Sequence, residues 1–105
     1  MEKQFAITSS GKTLRSFHDL RFGRCKYLVV HKPGAEISKL VENPFAEEVD
    51  ADMQLAEFLR ENQVTSIITG GVGQEVCNYL SKHKMQLILM DEEKIKIEDI
   101  LTRLG

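Results

Sequence analysis

The second half of the chain spells strand, helix, strand, helix, and that order leaves few ways to fold. Thr65 to Thr69 is a short β-branched run, and Gly70-Gly71-Val72-Gly73 turns out of it. Val76, Tyr79, Leu80 and His83 then recur at i, i+3, i+4 and i+7, the spacing of one helical face. Met85 to Met90 predicts another strand, and Ile97, Ile100, Leu101 and Leu104 repeat the helical spacing. Strands joined through a helix in this way lie parallel, with a right-handed crossover.

The first half asks for something different. Phe5 to Thr8 reads as a buried strand bounded by Ser9-Ser10-Gly11. Cys25 to His31 is a second strand, and Lys32-Pro33-Gly34-Ala35 follows with Pro and Gly at the centre of a type II turn. Glu36 to Glu42 returns as a third strand, whose weak alternation suits a sheet edge, and Asn43-Pro44 stops it. A helix starts near Asp50 or Asp52, either of which could cap it, presents Leu55, Phe58 and Leu59, and ends at Asn62-Gln63. The hairpin demands antiparallel neighbours and the later half parallel ones. A mixed five-stranded α/β sheet in the order 3-2-1-4-5, with strand 2 antiparallel and helices flanking it, meets both demands. At 105 residues there is enough chain for one core, so residues 1–105 are expected to form one domain.

A net charge of −2 argues against general nucleic-acid binding. No stretch approaches the length of a membrane span, and the start has no apolar run of signal-peptide kind. With only Cys25 and Cys77, the expectation is a cytoplasmic protein with free thiols.

Function is sought in the long segment from Ser9 to Arg24, which shows neither strand nor helix periodicity. It carries Lys12, Arg15, His18, Arg21 and Arg24 against one acid, Asp19. If the first and fourth strands are parallel neighbours, their C-terminal ends share a crevice of the kind that binds ligands in open α/β sheets. Ser9, Gly11, Lys12, Arg15, His18, Arg21 and Arg24 would meet Gly70, Gly71 and Gly73 there, with free N–H groups at a helix N-terminus. An anion is the natural guest. The competing reading has the arginines tie the loop to acids on the body. His18 is the leading metal-ligand candidate because it lies in a loop, and Cys25 is the second, its sulfur facing either crevice or core. Phe22 reads as a core plug and Gly23 as a backbone angle forbidden to side chains. His31 and His83 read as structural.

Phe5-Ala6-Ile7-Thr8, the run His18-Asp19-Leu20-Arg21-Phe22-Gly23-Arg24-Cys25-Lys26-Tyr27, Glu42-Asn43-Pro44 and Ile67-Ile68-Thr69-Gly70-Gly71-Val72-Gly73 together resemble the dinitrogenase iron–molybdenum cofactor biosynthesis family. The resemblance covers nearly the whole chain. It implies a ribonuclease-H-like three-layer fold and a carrier that binds an iron–molybdenum or other metal–sulfur cluster, or its precursor, with a cluster-assembly protein as partner. Where members often carry His-Gly-Ala-Gly at the first long helix, this chain has Asp50-Ala51-Asp52-Met53, placing carboxylates where an anion would bind. A sensor for a small anion, or a partner-interaction domain without a metal, are the alternatives.

Catalysis finds little to stand on. Ser10-Gly11-Lys12-Thr13 imitates the end of a P-loop, but Ala6 stands where its first glycine belongs. The first and fourth strands contain no acid on which a nuclease-like metal pair could sit. The expectation is a protein that binds and does not catalyse.

Overall fold

The computed structural model describes residues 3–35, 37–92 and 94–104. Five strands, β1 (Phe5–Ser9), β2 (Tyr27–His31), β3 (Lys39–Glu42), β4 (Ser66–Thr69) and β5 (Gln86–Leu89), form one mixed sheet in the order β3-β2-β1-β4-β5. β1 runs antiparallel to β2 and parallel to β4; β2 and β3 are antiparallel, β4 and β5 parallel. This is the expected order. β1 is buried at all five residues, as the central strand of a sheet covered on both faces should be.

Three helices supply the covering layers. Leu55 and Leu59 of α1 (Ala51–Glu61) and Val76 and Leu80 of α2 (Gln74–Lys82) pack on Ala6, Leu28 and Ile67. On the opposite face, Ile97 and Ile100 of α3 (Ile97–Leu104) pack on Ile7, Val29 and Ile68. Alternate residues of each strand thus feed two separate cores.

The hairpin turn is the predicted one: Ala35 N–H donates to the Lys32 carbonyl at 2.9 Å, and Gly34 adopts φ +89°. β3 is the edge strand, with three of its four residues exposed. The expected start of that strand, Glu36, lies outside the described residues. β2 begins at Tyr27 and not Cys25, because Phe22 to Cys25 closes a turn through Cys25 N–H to the Phe22 carbonyl. The capping expectation fails: Asp50 is the α1 N-cap residue but makes no side-chain cap bond. Among the described residues no helix is long and apolar enough to cross a membrane.

The segment after β1 is not an irregular loop. Ser9 bridges His18, Phe17 bridges Lys96, and Asp19 N–H donates to the Thr8 carbonyl at 3.0 Å. His18 N–H donates to the Ile95 carbonyl at 2.9 Å. These bonds turn the segment into a strap folded back over the end of β1 and tied to the approach to α3.

Candidate functional site

The Arg21-Phe22-Gly23-Arg24 turn is held from three sides. Phe22 is 2% exposed and sits in the α1/α2 core, as expected. Gly23 N–H donates to the Asp52 carboxylate at 2.7 Å, so Asp52 tethers the turn to the start of α1. Asn43, buried, donates from Nδ2 to the carbonyls of Gly23 (2.9 Å) and Cys25 (2.7 Å) and accepts the Phe45 N–H on Oδ1 (3.0 Å). Phe45 in turn meets Phe58 of α1 edge to face, 5.6 Å between ring centres.

Gly23 is required for a different reason than the expected one. Gly34 is the described glycine with a positive φ. At Gly23 the constraint is space: a Cβ would lie 2.6 Å from the Ala51 carbonyl carbon, and closer still to the backbone nitrogen and carboxylate of Asp52. Gly70 makes a similar close approach, a Cβ there falling 2.5 Å from the Leu20 carbonyl oxygen. The turn after β4 is thereby seated on the strap.

Next to this turn a crevice of about 340 Å³ opens between the first turns of α1 and α2. Arg24, Asp50, Asp52, Met53, Gly73 and Glu75 are among its lining residues. Arg24 is exposed, and its Nη1 donates to the Ala46 carbonyl at 2.9 Å, a bond that uses one of its five N–H donors. Gly73, the α2 N-cap residue, offers no side chain to the N–H groups of that helix, and a Cβ on Gly71 or Gly73 would meet nothing within 4 Å. Two helix N-termini without side-chain caps therefore face one space with an arginine.

The remaining expected site residues go elsewhere. His18 is 2% exposed, with Nδ1 3.0 Å from the Thr8 carbonyl and Nε2 2.9 Å from the Met90 carbonyl. Each ring nitrogen lies against a backbone carbonyl, so the leading metal-ligand candidate is wedged between two strands' ends inside the protein. Ser9 Oγ donates to the Gly11 carbonyl at 2.8 Å, and Gly11 is wedged against Ser16. Lys12 and Arg15 are exposed in a turn whose Leu14 and Ser16 carbonyls accept the Glu98 and Ile97 N–H groups of α3, and neither lines the crevice. Arg21 forms a bidentate pair with Asp19, Nε 3.1 Å from Oδ1 and Nη2 2.9 Å from Oδ2. That carboxylate is buried, and the pairing raises the Arg21 pKa. Arg21 is therefore engaged with the acid of its own segment, and the expected tie from the loop to an acid on the body is not what it makes. Gly70 packs against Leu20; Arg24 and Gly73 line the crevice, and Gly71 lies outside its lining.

Cys25 faces the core. It is fully buried, and burial first, then Asp19, pushes its thiol up to about 12 from 9.0. As pH rises past 9.0 the unfolded chain releases this proton and the folded chain does not, so the thiol erodes stability between 9.0 and about 12. The thiolate that ligates metal is thus suppressed at neutral pH. Cys77 is half-buried. Iodoacetamide should add one label to the native protein, at Cys77, and two in urea, counted by intact-mass and peptide mass spectrometry. Two rapid labels on native protein would contradict this burial.

Asn43 and Asp52 were missed as site-forming residues. Asn43 reads from sequence as a strand stop and part of a family motif, and Asp52 as a helix cap or a carboxylate at an anion's place; neither reading has them holding the turn.

Fold and crevice together define a small three-layer α/β domain with a crevice at two helix N-termini beside its sheet. The chain belongs to the dinitrogenase iron–molybdenum cofactor family, whose profile matches residues 3–105. Its fold is similar to that of the apo form of the orange protein from Desulfovibrio gigas, at 23% identity and a TM-score of 0.85, over 98% of this chain and 87% of that one. A candidate NifB protein from Thermotoga is similar at 22% identity and TM-score 0.77, covering 97% and 85%. A candidate dinitrogenase from Methanocaldococcus jannaschii follows at 16% and 0.66, covering 97% and 86%. No curated protein matches the chain in sequence.

Proposed function

We propose that this protein is a non-catalytic carrier that holds a preassembled metal–sulfur cluster, or its precursor, in the crevice between α1 and α2. The observation that carries the proposal is the mixed lining of that crevice. Arg24 and two helix N-termini supply hydrogen-bond donors for sulfide or oxo atoms, while Asp50 and Glu75 bring carboxylates that a bare phosphate would avoid. A cluster presents both kinds of atom, acceptors at its sulfides and Lewis-acidic metal between them. Among the described residues no group of three or more His, Cys, Asp or Glu could hold a single metal ion, which favours cargo that arrives assembled. Family membership supports the same cargo class.

Anaerobic reconstitution with iron, sulfide and molybdate or copper, read by absorption spectra and metal content, tests this. Arg24→Ala should weaken loading roughly tenfold or more, the scale of one lost charge-assisted bond. Cys25→Ala and Cys77→Ala should load like the parent. A spectrum indifferent to Arg24→Ala, or abolished by removing either cysteine, would overturn the reading. Tight calorimetric binding of phosphate alone would instead favour the small-anion sensor.

A further inference from the structure

β3 is the last strand of the sheet on its side. Asn43 N–H donates to the Lys26 carbonyl at 2.9 Å, in the register that pairs Val41 with Leu28 and Lys39 with Val30. Opposed residues in an antiparallel ladder alternate between hydrogen-bonded and non-bonded pairs. Val41 and Lys39 therefore direct their backbone groups to β2, whereas Leu40 and Glu42 direct theirs off the edge of the sheet. The same register continues to His31 and Ser38, where Nδ1 and the hydroxyl lie 2.9 Å apart.

We propose that β3 pairs antiparallel with β3 of a second copy of this chain, on a two-fold axis through Leu40. In such a pair the residue on the axis meets itself, so each choice of centre is a separate register. Centring on Lys39 opposes two lysines, and centring on Glu42 opposes two glutamates; both are repulsive. Centring on Val41 sets each Leu40 against a carboxylate. Centring on Leu40 opposes the two leucines, sets Lys39 beside Val41 for its aliphatic stem to cover, and brings Ser38 opposite Glu42.

That register also completes a polar chain. With the His31 proton on Nδ1, Ser38 Oγ accepts from it at 2.9 Å and keeps its own proton for the carboxylate of Glu42 from the second copy. His31 is buried, which fixes one end of the chain. The surface involved is one that the free edge leaves wet: Leu40 is 38% and Ile37 85% exposed. On the α1 side, Ile37 and Val41 line a groove of about 660 Å³ with Phe58, whose floor a paired strand would extend. No β3 residue lines the cargo crevice, so pairing and loading are separate properties.

Sedimentation velocity of the full chain up to about 1 mM should show a concentration-dependent dimer. Leu40→Lys, which opposes like charges on the axis, should leave only monomer with an unchanged far-ultraviolet dichroism spectrum. In a Cys77→Ser background, Leu40→Cys should form an intermolecular disulfide on oxidation. Val41→Cys should not, because the offset holds its two copies beyond disulfide reach. A monomer throughout, a dimer that survives Leu40→Lys, or cross-linking at 41 in place of 40 would each overturn the proposal.

Discussion

Gly23→Ala should unseat the Arg21–Arg24 turn and cost the protein roughly 2–4 kcal/mol, combining overpacking with one lost hydrogen bond. The new methyl would fall 2.6 Å from the Ala51 carbonyl carbon, a position fixed by the first turn of α1. No rotamer relieves a backbone clash, so the turn must move away from α1 as a unit. The Gly23 N–H then leaves the Asp52 carboxylate, and Asn43 loses its geometry toward the Gly23 and Cys25 carbonyls. For a chain of this length the expected fall in melting temperature is roughly 10–20 °C. Loading should fall with it even well below that temperature, because Arg24 rides on the displaced turn and Asp52 lines the same crevice. Urea titration followed by dichroism, beside reconstitution at 10–15 °C below the new midpoint, separates the two effects. A variant within 1 kcal/mol of the parent would show that the close approach at Gly23 carries no weight.

Why the sequence yields the fold more readily than the site can be seen residue by residue. The strand order follows from short-range patterns: a β-branched run at 65–69, helical spacing at Val76 to His83, and a Pro-Gly turn that the structure reproduces at Gly34. Each of those signals lies within a few residues of what it specifies. The roles of the strap residues are specified from far away. His18 is buried by a carbonyl 72 residues along the chain, and Gly23 is constrained by a helix start 29 residues on. A composition count sees four cations and a histidine against one acid in this segment, but the fold disperses them. Arg21 turns to Asp19 and Lys12 and Arg15 sit in a turn beside α3, which leaves Arg24 at the crevice. The replacement Asp50-Ala51-Asp52-Met53 likewise changes meaning once Asp52 is seen holding the Gly23 N–H.

His18→Ala should be the most damaging single substitution in the strap, at roughly 3–5 kcal/mol, because cavity and hydrogen-bond losses combine there. The imidazole is 2% exposed and spans from the Thr8 carbonyl on β1 to the Met90 carbonyl just past β5. Removing it takes the ring N–H donor from between these carbonyls, of which that of Thr8 keeps the Asp19 N–H, and empties a ring-sized volume between the strap and the sheet. Those carbonyls belong to backbone that is pinned by the ladders of β1 and β5, so the site cannot close by collapse. The urea midpoint should drop steeply with an unchanged slope. A metal ligand would behave in the opposite way: the variant would fold normally and lose cargo. Loading measured per folded molecule, with the folded fraction taken from the same titration, decides between them. Parent-like loading per folded molecule is expected, since His18 does not line the crevice. A stable variant that fails to load would return His18 to the cargo site and move that site to the far side of the strap.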